Sequence, residues 1–165
     1  MNDIENILND AKPLIYKIAN VYTSSEAEFE DLCQEIYIQV WQSLSAFKKE
    51  SKLSTWIYRV CLNTALSYQK RETRRQTKLQ EFAKNHSTDV DDSEKVKIDT
   101  GVQFLLDCIK SLKPIDKSIM LLYLEGLSHQ EIAETLGIST SNVGSKVNRI
   151  KPKLLKCIKN KGYGR

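Results

Sequence analysis

Apolar residues recur along this chain at helical spacing. Leu32, Ile36 and Val40 fall at i, i+4 and i+8, with Tyr37, Trp41 and Leu44 widening the stripe, and Leu105, Cys108, Ile109 and Leu112 follow at i, i+3, i+4 and i+7. Stripes of this kind give each helix one face to bury. There is no sustained period-two alternation and no Asn-Gly or Asp-Gly turn, so the pattern predicts an all-α fold. The stripes lapse over residues 85–101, a polar, acid-rich stretch whose composition cannot bury enough apolar surface to offset its ordering entropy. A flexible acidic linker is expected there, between a helical unit at 1–84 and a smaller one at 102–165, with no internal repeat relating the two.

The second unit carries the sharper punctuation. Ser128 followed by Glu131 is a capping box, in which hydroxyl and carboxylate each satisfy an orphaned backbone N–H. A helix starts there, buries Ile132, Ala133 and Leu136, and ends at Gly137, which can take the left-handed conformation. Ile138 packs back, and Ser139 caps a second helix that turns Val143, Val147 and Ile150 inward. Two short helices joined by a glycine turn, anchored on both sides, form a helix-turn-helix. Its second helix is expected to present Thr140, Ser141, Asn142, Ser145, Lys146 and Arg149 outward, a polar set able to reach base edges and phosphates. Gly144 costs that helix about 1 kcal/mol relative to alanine, and Pro152 is expected to end or kink it near Lys151. Two readings of Gly144 stand side by side: close approach to a DNA backbone, or tolerance at a weakly packed position.

Charge changes the picture more than composition does. With 165 residues, 41% hydrophobic and 28% charged, the chain has the profile of one ordinary or two small globular domains. Its net charge is only +4, yet residues 70–84 and 146–165 hold 6 and 8 of the 25 cations, against 2 and 0 acids. Two basic clusters set on an acidic body fit either two polyanion-binding places or two solvated helix ends favoured by the macrodipole. No signal peptide or membrane span is discernible, and the cytosol is the expected compartment. Cys33, Cys61, Cys108 and Cys157 have no C-x-x-C spacing, so they are expected as small apolar residues on helix faces.

Three motifs of the first unit complete a resemblance. Asp31-Leu32-x-Gln34-Glu35 with Val40-Trp41, then Thr55-Trp56-Ile57-Tyr58-Arg59 with Asn63-Thr64-Ala65, then the basic run ending at Arg74-Arg75, resemble region 2 of bacterial sigma factors of the extracytoplasmic-function group. Gly126-Leu127-Ser128-x-x-Glu131-Ile132-Ala133-x-x-Leu136-Gly137-Ile138-Ser139 resembles region 4 of the same family, in the family's order. The resemblance implies a region 2 helical bundle and a region 4 helix-turn-helix, and recognition rather than bond-making. On that basis a helix starting near Asp31 would dock on the clamp helices of the largest RNA polymerase subunit through Asp31, Gln34, Glu35 and Gln39, and region 4 would meet the flap of the second-largest. Ser51, Lys52, Ser54, Trp56, Arg59 and Asn63 would open the −10 element and hold an extruded base, with Arg71, Arg74, Arg75 and Lys78 on nearby phosphates. The helix-turn-helix set would read the −35 element, and an anti-sigma factor is an implied partner. Trp56, Tyr58 and Trp41 also have a competing expectation as core aromatics, Trp41 most of all.

Other classes fit less well. A stand-alone helix-turn-helix regulator of duplex DNA would need neither the Trp56–Asn63 segment nor the Asp31–Glu35 motif. An enzyme finds no support: His86 and His129 sit in the linker and a capping segment, and no phosphate loop, nucleophile elbow or metal spacing occurs. No cofactor and no metal is expected. A purely protein-binding adaptor would leave both basic clusters without a role.

Overall fold

The apolar stripes of the first unit become three helices, α1 (Asn2–Tyr22), α2 (Glu26–Ser43) and α3 (Leu53–Phe82), in a computed structural model that describes residues 2–82 and 100–160. On α1, Ala11, Ile15, Ile18, Ala19 and Tyr22 share one face, spaced by three and four residues. That face packs with Leu32, Ile36 and Val40 of α2 and with Ile57, Cys61, Leu62 and Ala65 of α3 in a three-helix bundle. Burying each isoleucine or leucine contributes about 1.5–3 kcal/mol.

The helix expected to start near Asp31 begins more than a turn earlier, because Ser25 caps it: Ser25 Oγ accepts from the Glu28 N–H at 3.3 Å. The Glu28 carboxylate in turn accepts from the Ser24 N–H at 2.8 Å. After α2, a 3₁₀ turn at Leu44–Ala46 leads to a loop in which Phe47 packs on Trp56 with ring centroids 5.3 Å apart.

The second unit holds α4 (Thr100–Lys110), α5 (Pro114–Leu124), α6 (His129–Leu136) and α7 (Thr140–Asn160). Thr100 and Gly101, expected in the linker, open α4; residues 85–99 of that linker lie outside the described residues. Leu106 and Ile109 of α4, Ile119 and Leu122 of α5, Ile132 of α6, and Val143, Val147, Ile150 and Leu154 of α7 form the core. The capping box is present, with the Glu131 N–H donating to Ser128 Oγ at 3.2 Å and the Ser128 N–H to Glu131 Oε2 at 2.8 Å. Gly137 stops α6 at φ +67°, and Ser139 Oγ accepts from the Asn142 N–H at 3.2 Å to start α7.

Two expectations are corrected in this unit, the first in its helix-ending half. α7 does not end near Lys151 but runs through Pro152 to Asn160. The proline costs roughly 3 kcal/mol of helix propensity, but buried Leu154 and a covalent tie to α4 hold the last turns in place. That tie is the second correction: Cys33 and Cys61 are buried thiols as expected, whereas Cys108 and Cys157 are joined in a disulfide, Cα atoms 6.0 Å apart.

The two units pack on each other, α1 against α4 and α5, α3 against α5 and α6. The Tyr22 hydroxyl lies 2.6 Å from Ser118 Oγ and donates to Pro114 O at 2.8 Å. Its burial pushes the phenol well above the usual tyrosine range. Glu125 accepts from Tyr58 at 2.8 Å and pairs with Lys17. Among the described residues there is no strand, and no helix is long and apolar enough to cross a membrane.

Candidate nucleic-acid interface

Three surfaces carry the residues singled out from the sequence. On α2, Asp31, Gln34 and Gln39 are exposed, while Glu35 is half-buried. The Glu35 carboxylate takes a two-pronged contact from Arg71 of α3, at 2.7 and 3.3 Å. That pair raises the Arg71 guanidinium above its ordinary value, and Arg71 also lies over the Tyr68 ring, 5.2 Å from its centre. Glu35, expected to face a protein partner, and Arg71, expected on phosphates, thus meet each other between α2 and α3, with Arg71 keeping 57% of its side chain in solvent.

Trp41 is a clearer correction. Expected in the core, it is 58% exposed, and Ile38 beside it 52%. Gln34, Ile38 and Trp41 follow at i, i+4 and i+7, so they share a helix face. That face has an apolar centre and a polar rim, the arrangement of a partner-binding surface. Helical periodicity marks a residue as apolar-facing without saying whether the apolar partner belongs to the same chain. This is why sequence reasoning put Trp41 inside.

The second surface is the loop before α3 and the first turns of that helix. Ser51, Lys52 and Ser54 are exposed, Trp56 is half-buried under Phe47, and Arg59 and Asn63 are exposed. Trp56, Arg59 and Asn63 fall at i, i+3 and i+7, which brings the three to one face. Arg59 donates to the Glu134 carbonyl of α6 at 2.8 Å, so this face borders the second unit. Farther along α3, Arg74, Arg75 and Lys78 are exposed; Arg75 has a local partner in Glu72 at 3.0 Å.

The third surface is the start of α7. Thr140, Ser141, Asn142, Ser145 and Arg149 are exposed as expected. Lys146 is not: its side chain is 20% exposed and its ammonium lies 2.6 Å from Asp116 of α5, an aspartate whose own side chain is 8% exposed. Arg149 also reaches Asp116, at 3.4 Å, but keeps 56% of its side chain in solvent. A buried carboxylate is costly unless it is paired and hydrogen-bonded; Lys146 provides the partner and ties α7 to α5. Gly144 is half-buried beside α6, where a Cβ would meet the His129 ring at an ordinary contact distance of 3.5 Å. Lys151, Lys153, Lys156 and Lys159 extend the exposed cationic run along α7, Lys151 lying 4.6 Å from the Tyr123 ring centre.

Sequence reasoning missed Asp116 and Glu125. Each acts through a partner far away in the chain, and no local pattern announces a contact of that kind. Burial pushes the Glu125 carboxyl up, but the hydrogen bonds from Lys17 and Tyr58 and the lysine charge outweigh it, so Glu125 stays below the usual carboxylate range.

Comparison with known proteins agrees with this arrangement. The family profile for sigma-70 region 2 matches residues 7–75, and that for sigma-70 region 4 matches residues 105–154. The chain is 32% identical over 145 residues to the ECF RNA polymerase sigma-E factor of Haemophilus influenzae, covering 81% of this chain and 77% of that one. It is 31% identical over 136 residues to the RNA polymerase sigma factor YlaC of Bacillus subtilis, covering 77% and 75%. In fold it is similar to the sigma factor RpoE of Bartonella quintana, solved with the anti-sigma factor NepR, at TM-score 0.74 and 20% identity over the full length of both chains. It is also similar to CnrH, solved with the cytosolic domain of CnrY, at TM-score 0.63 and 16% identity over 95% of this chain and 88% of that one. With both sigma-70 regions matched in order on two packed helical units, the chain belongs to the extracytoplasmic-function group of the sigma-70 family of RNA polymerase sigma factors.

Proposed function

We propose that this protein joins core RNA polymerase and directs it to a specific set of promoters, acting by recognition and strand opening rather than by catalysis. The observation that carries the proposal is the pairing, in one chain, of a built helix-turn-helix with a second face that bears Trp56, Arg59 and Asn63. A duplex-only regulator has no use for the second face.

In this reading residues 1–84 bind polymerase and the −10 element, and residues 102–165 read the −35 element. The α2 face of Asp31, Gln34, Ile38, Gln39 and Trp41 docks on the clamp helices of the largest polymerase subunit, while the second unit meets the flap. Extruding a base costs a few kcal/mol of stacking, which contacts from a side chain such as Trp56 and polar groups such as Ser54 and Asn63 offset. Arg59 exchanges its Glu134 carbonyl for DNA. Arg74, Arg75 and Lys78 on one side, and Arg149 with the lysines of α7 on the other, neutralise phosphates, each adding about 0.9 to the salt slope of binding. Tethering makes two weak modules act together once polymerase sets their separation.

The solved neighbours in fold are bound to an anti-sigma factor or to a cytosolic domain of a second protein. A protein antagonist for this chain, and a site of action in the cytoplasm, belong to the same proposal. The test is a pair of variants, Trp56→Ala and Asn63→Ala, in complexes with core polymerase. Open-complex formation, followed by permanganate reactivity, is expected to fall at least tenfold while polymerase affinity stays within about twofold, the pattern of an interaction made only when the strands part. Equal loss of both, with a lower melting temperature, would assign these side chains to packing instead.

A further inference from the structure

Four cysteines occupy two kinds of surroundings. Cys33 and Cys61 are buried in the first unit, where desolvation, helped at Cys33 by the nearby Glu30 charge, pushes their thiols up to about 11 and about 12. Thiols held protonated are poor nucleophiles. Cys108 and Cys157 are different: they are already joined, one in α4, the other in the last turns of α7. Cys108 is 1% exposed, whereas Cys157 is half-buried with Lys153, Lys156 and Lys159 close by on the same helix.

The location gives the pair its consequence. The bond closes a loop, with a sequence separation of 49, that contains α5, α6 and the DNA-facing start of α7. It also anchors the helix beyond Pro152, where a backbone donor is missing. In the bacterial cytoplasm, the compartment assigned under the proposed function and on which this inference rests, thiol pools keep cysteines reduced, and the disulfides that do form are mostly transient or redox-sensing.

We propose that Cys108 and Cys157 form a reversible oxidation site for low-molecular-weight disulfides, and that its oxidised state tightens engagement of the −35 element. The Cys157 thiolate attacks one sulfur of the small disulfide and expels a thiolate, leaving a mixed disulfide. The Cys108 thiolate then attacks the Cys157 sulfur, forms the Cys108–Cys157 bond and expels the second thiolate. The two protein thiols are oxidised by two electrons, the small disulfide is reduced, and the two protons end on the two released thiols. The lysines around Cys157 favour the approach of an anionic oxidant such as glutathione disulfide. Once formed, the bond holds the cationic run of Lys151, Lys153, Lys156 and Lys159 in register with Arg149, so fewer conformations have to be surrendered on DNA.

The test uses the full chain equilibrated in a series of reduced-to-oxidised glutathione ratios. Each sample is alkylated for mass spectrometry, probed by amide hydrogen exchange, and assayed with core polymerase on a genomic template. Cys108 and Cys157 are expected to lose alkylation together while Cys33 and Cys61 keep it. Exchange of the Lys151–Asn160 amides should slow on oxidation, and transcription dependent on the −35 element should rise by about fivefold or more, the low end of coupling between two sites. Cys157→Ser should transcribe like the reduced protein at every ratio. Free thiols at both positions across the whole series, or equal exchange and equal transcription in the two states, would overturn the proposal. If neither state gave any core-dependent transcript, the sigma reading would fall, and the alkylation and exchange data would still decide the redox claim.

Discussion

The bundle of α1–α3 and the helix-turn-helix unit of α4–α7 solve the same problem by different means. Helices of 21, 18 and 30 residues make the first unit, and their continuous apolar stripes bury one another. The second works with helices of 11, 11 and 8 residues before its long last one. Helices that short are marginal on their own, and this unit carries the compensating devices: a capping box, a left-handed glycine stop, a capped start to α7, a buried Asp116–Lys146 pair and a covalent tie. Length weighs more in the first half, where the Ser25 cap of α2 stands beside long stripes, and punctuation weighs more in the second.

The comparison breaks most visibly at the tie. Opening the Cys108–Cys157 bond should destabilise the second unit by about 4 kcal/mol on the loop-entropy account, and hydrogen exchange should show the loss in α4–α7 while α1–α3 is spared. Next comes the packing of the first unit. Ile36, fully buried between α1 and α3, should cost about 3 kcal/mol as Ile36→Ala; chemical denaturation would measure this, and a much smaller loss would mean that the bundle does not depend on its stripe.

Smaller effects sharpen the contrast. Ser128→Ala removes one half of the capping box and should cost about 1 kcal/mol, visible as faster exchange at the start of α6. Glu125, which joins the units, gives the smallest effect and a pH signature. Its carboxyl is held below the usual range, so its contribution is fully present above the unfolded value near 4.3 and is lost as pH falls through the lower folded value. Because the Lys17–Glu125 pair is partly exposed, Glu125→Gln should cost less than about 1 kcal/mol at pH 7. In urea titrations the difference from the parent protein should shrink towards zero as the medium is made strongly acidic.

The same contrast explains what could be read in advance. Signals that act within one turn were legible: Ser128 with Glu131, Gly137, Ser139 and the inward set of Val143, Val147 and Ile150 all stand where the pattern put them. Ser25 with Glu28 carries the same kind of signal, though the acidic motif at Asp31 drew the helix start away from it. What stayed hidden depends on partners distant in sequence. Lys146 looked like a DNA contact because Asp116, which claims it, lies on another helix. Pro152 looked like a stop because the tie that carries α7 past it joins residues 49 positions apart. Trp41 looked like core because apolar spacing does not say whether the helix face it shares with Ile38 is turned inward or to solvent.

The central claim is that the protein selects promoters only as part of polymerase. Transcription in vitro with purified core polymerase, this protein and a genomic template, with start sites mapped, tests it most directly. The account predicts a small set of starts, each preceded by a shared −35 and −10 pair, that appear with core and protein together and with neither alone. Tight occupancy of a duplex site by the isolated protein, with no core-dependent transcript, would contradict it.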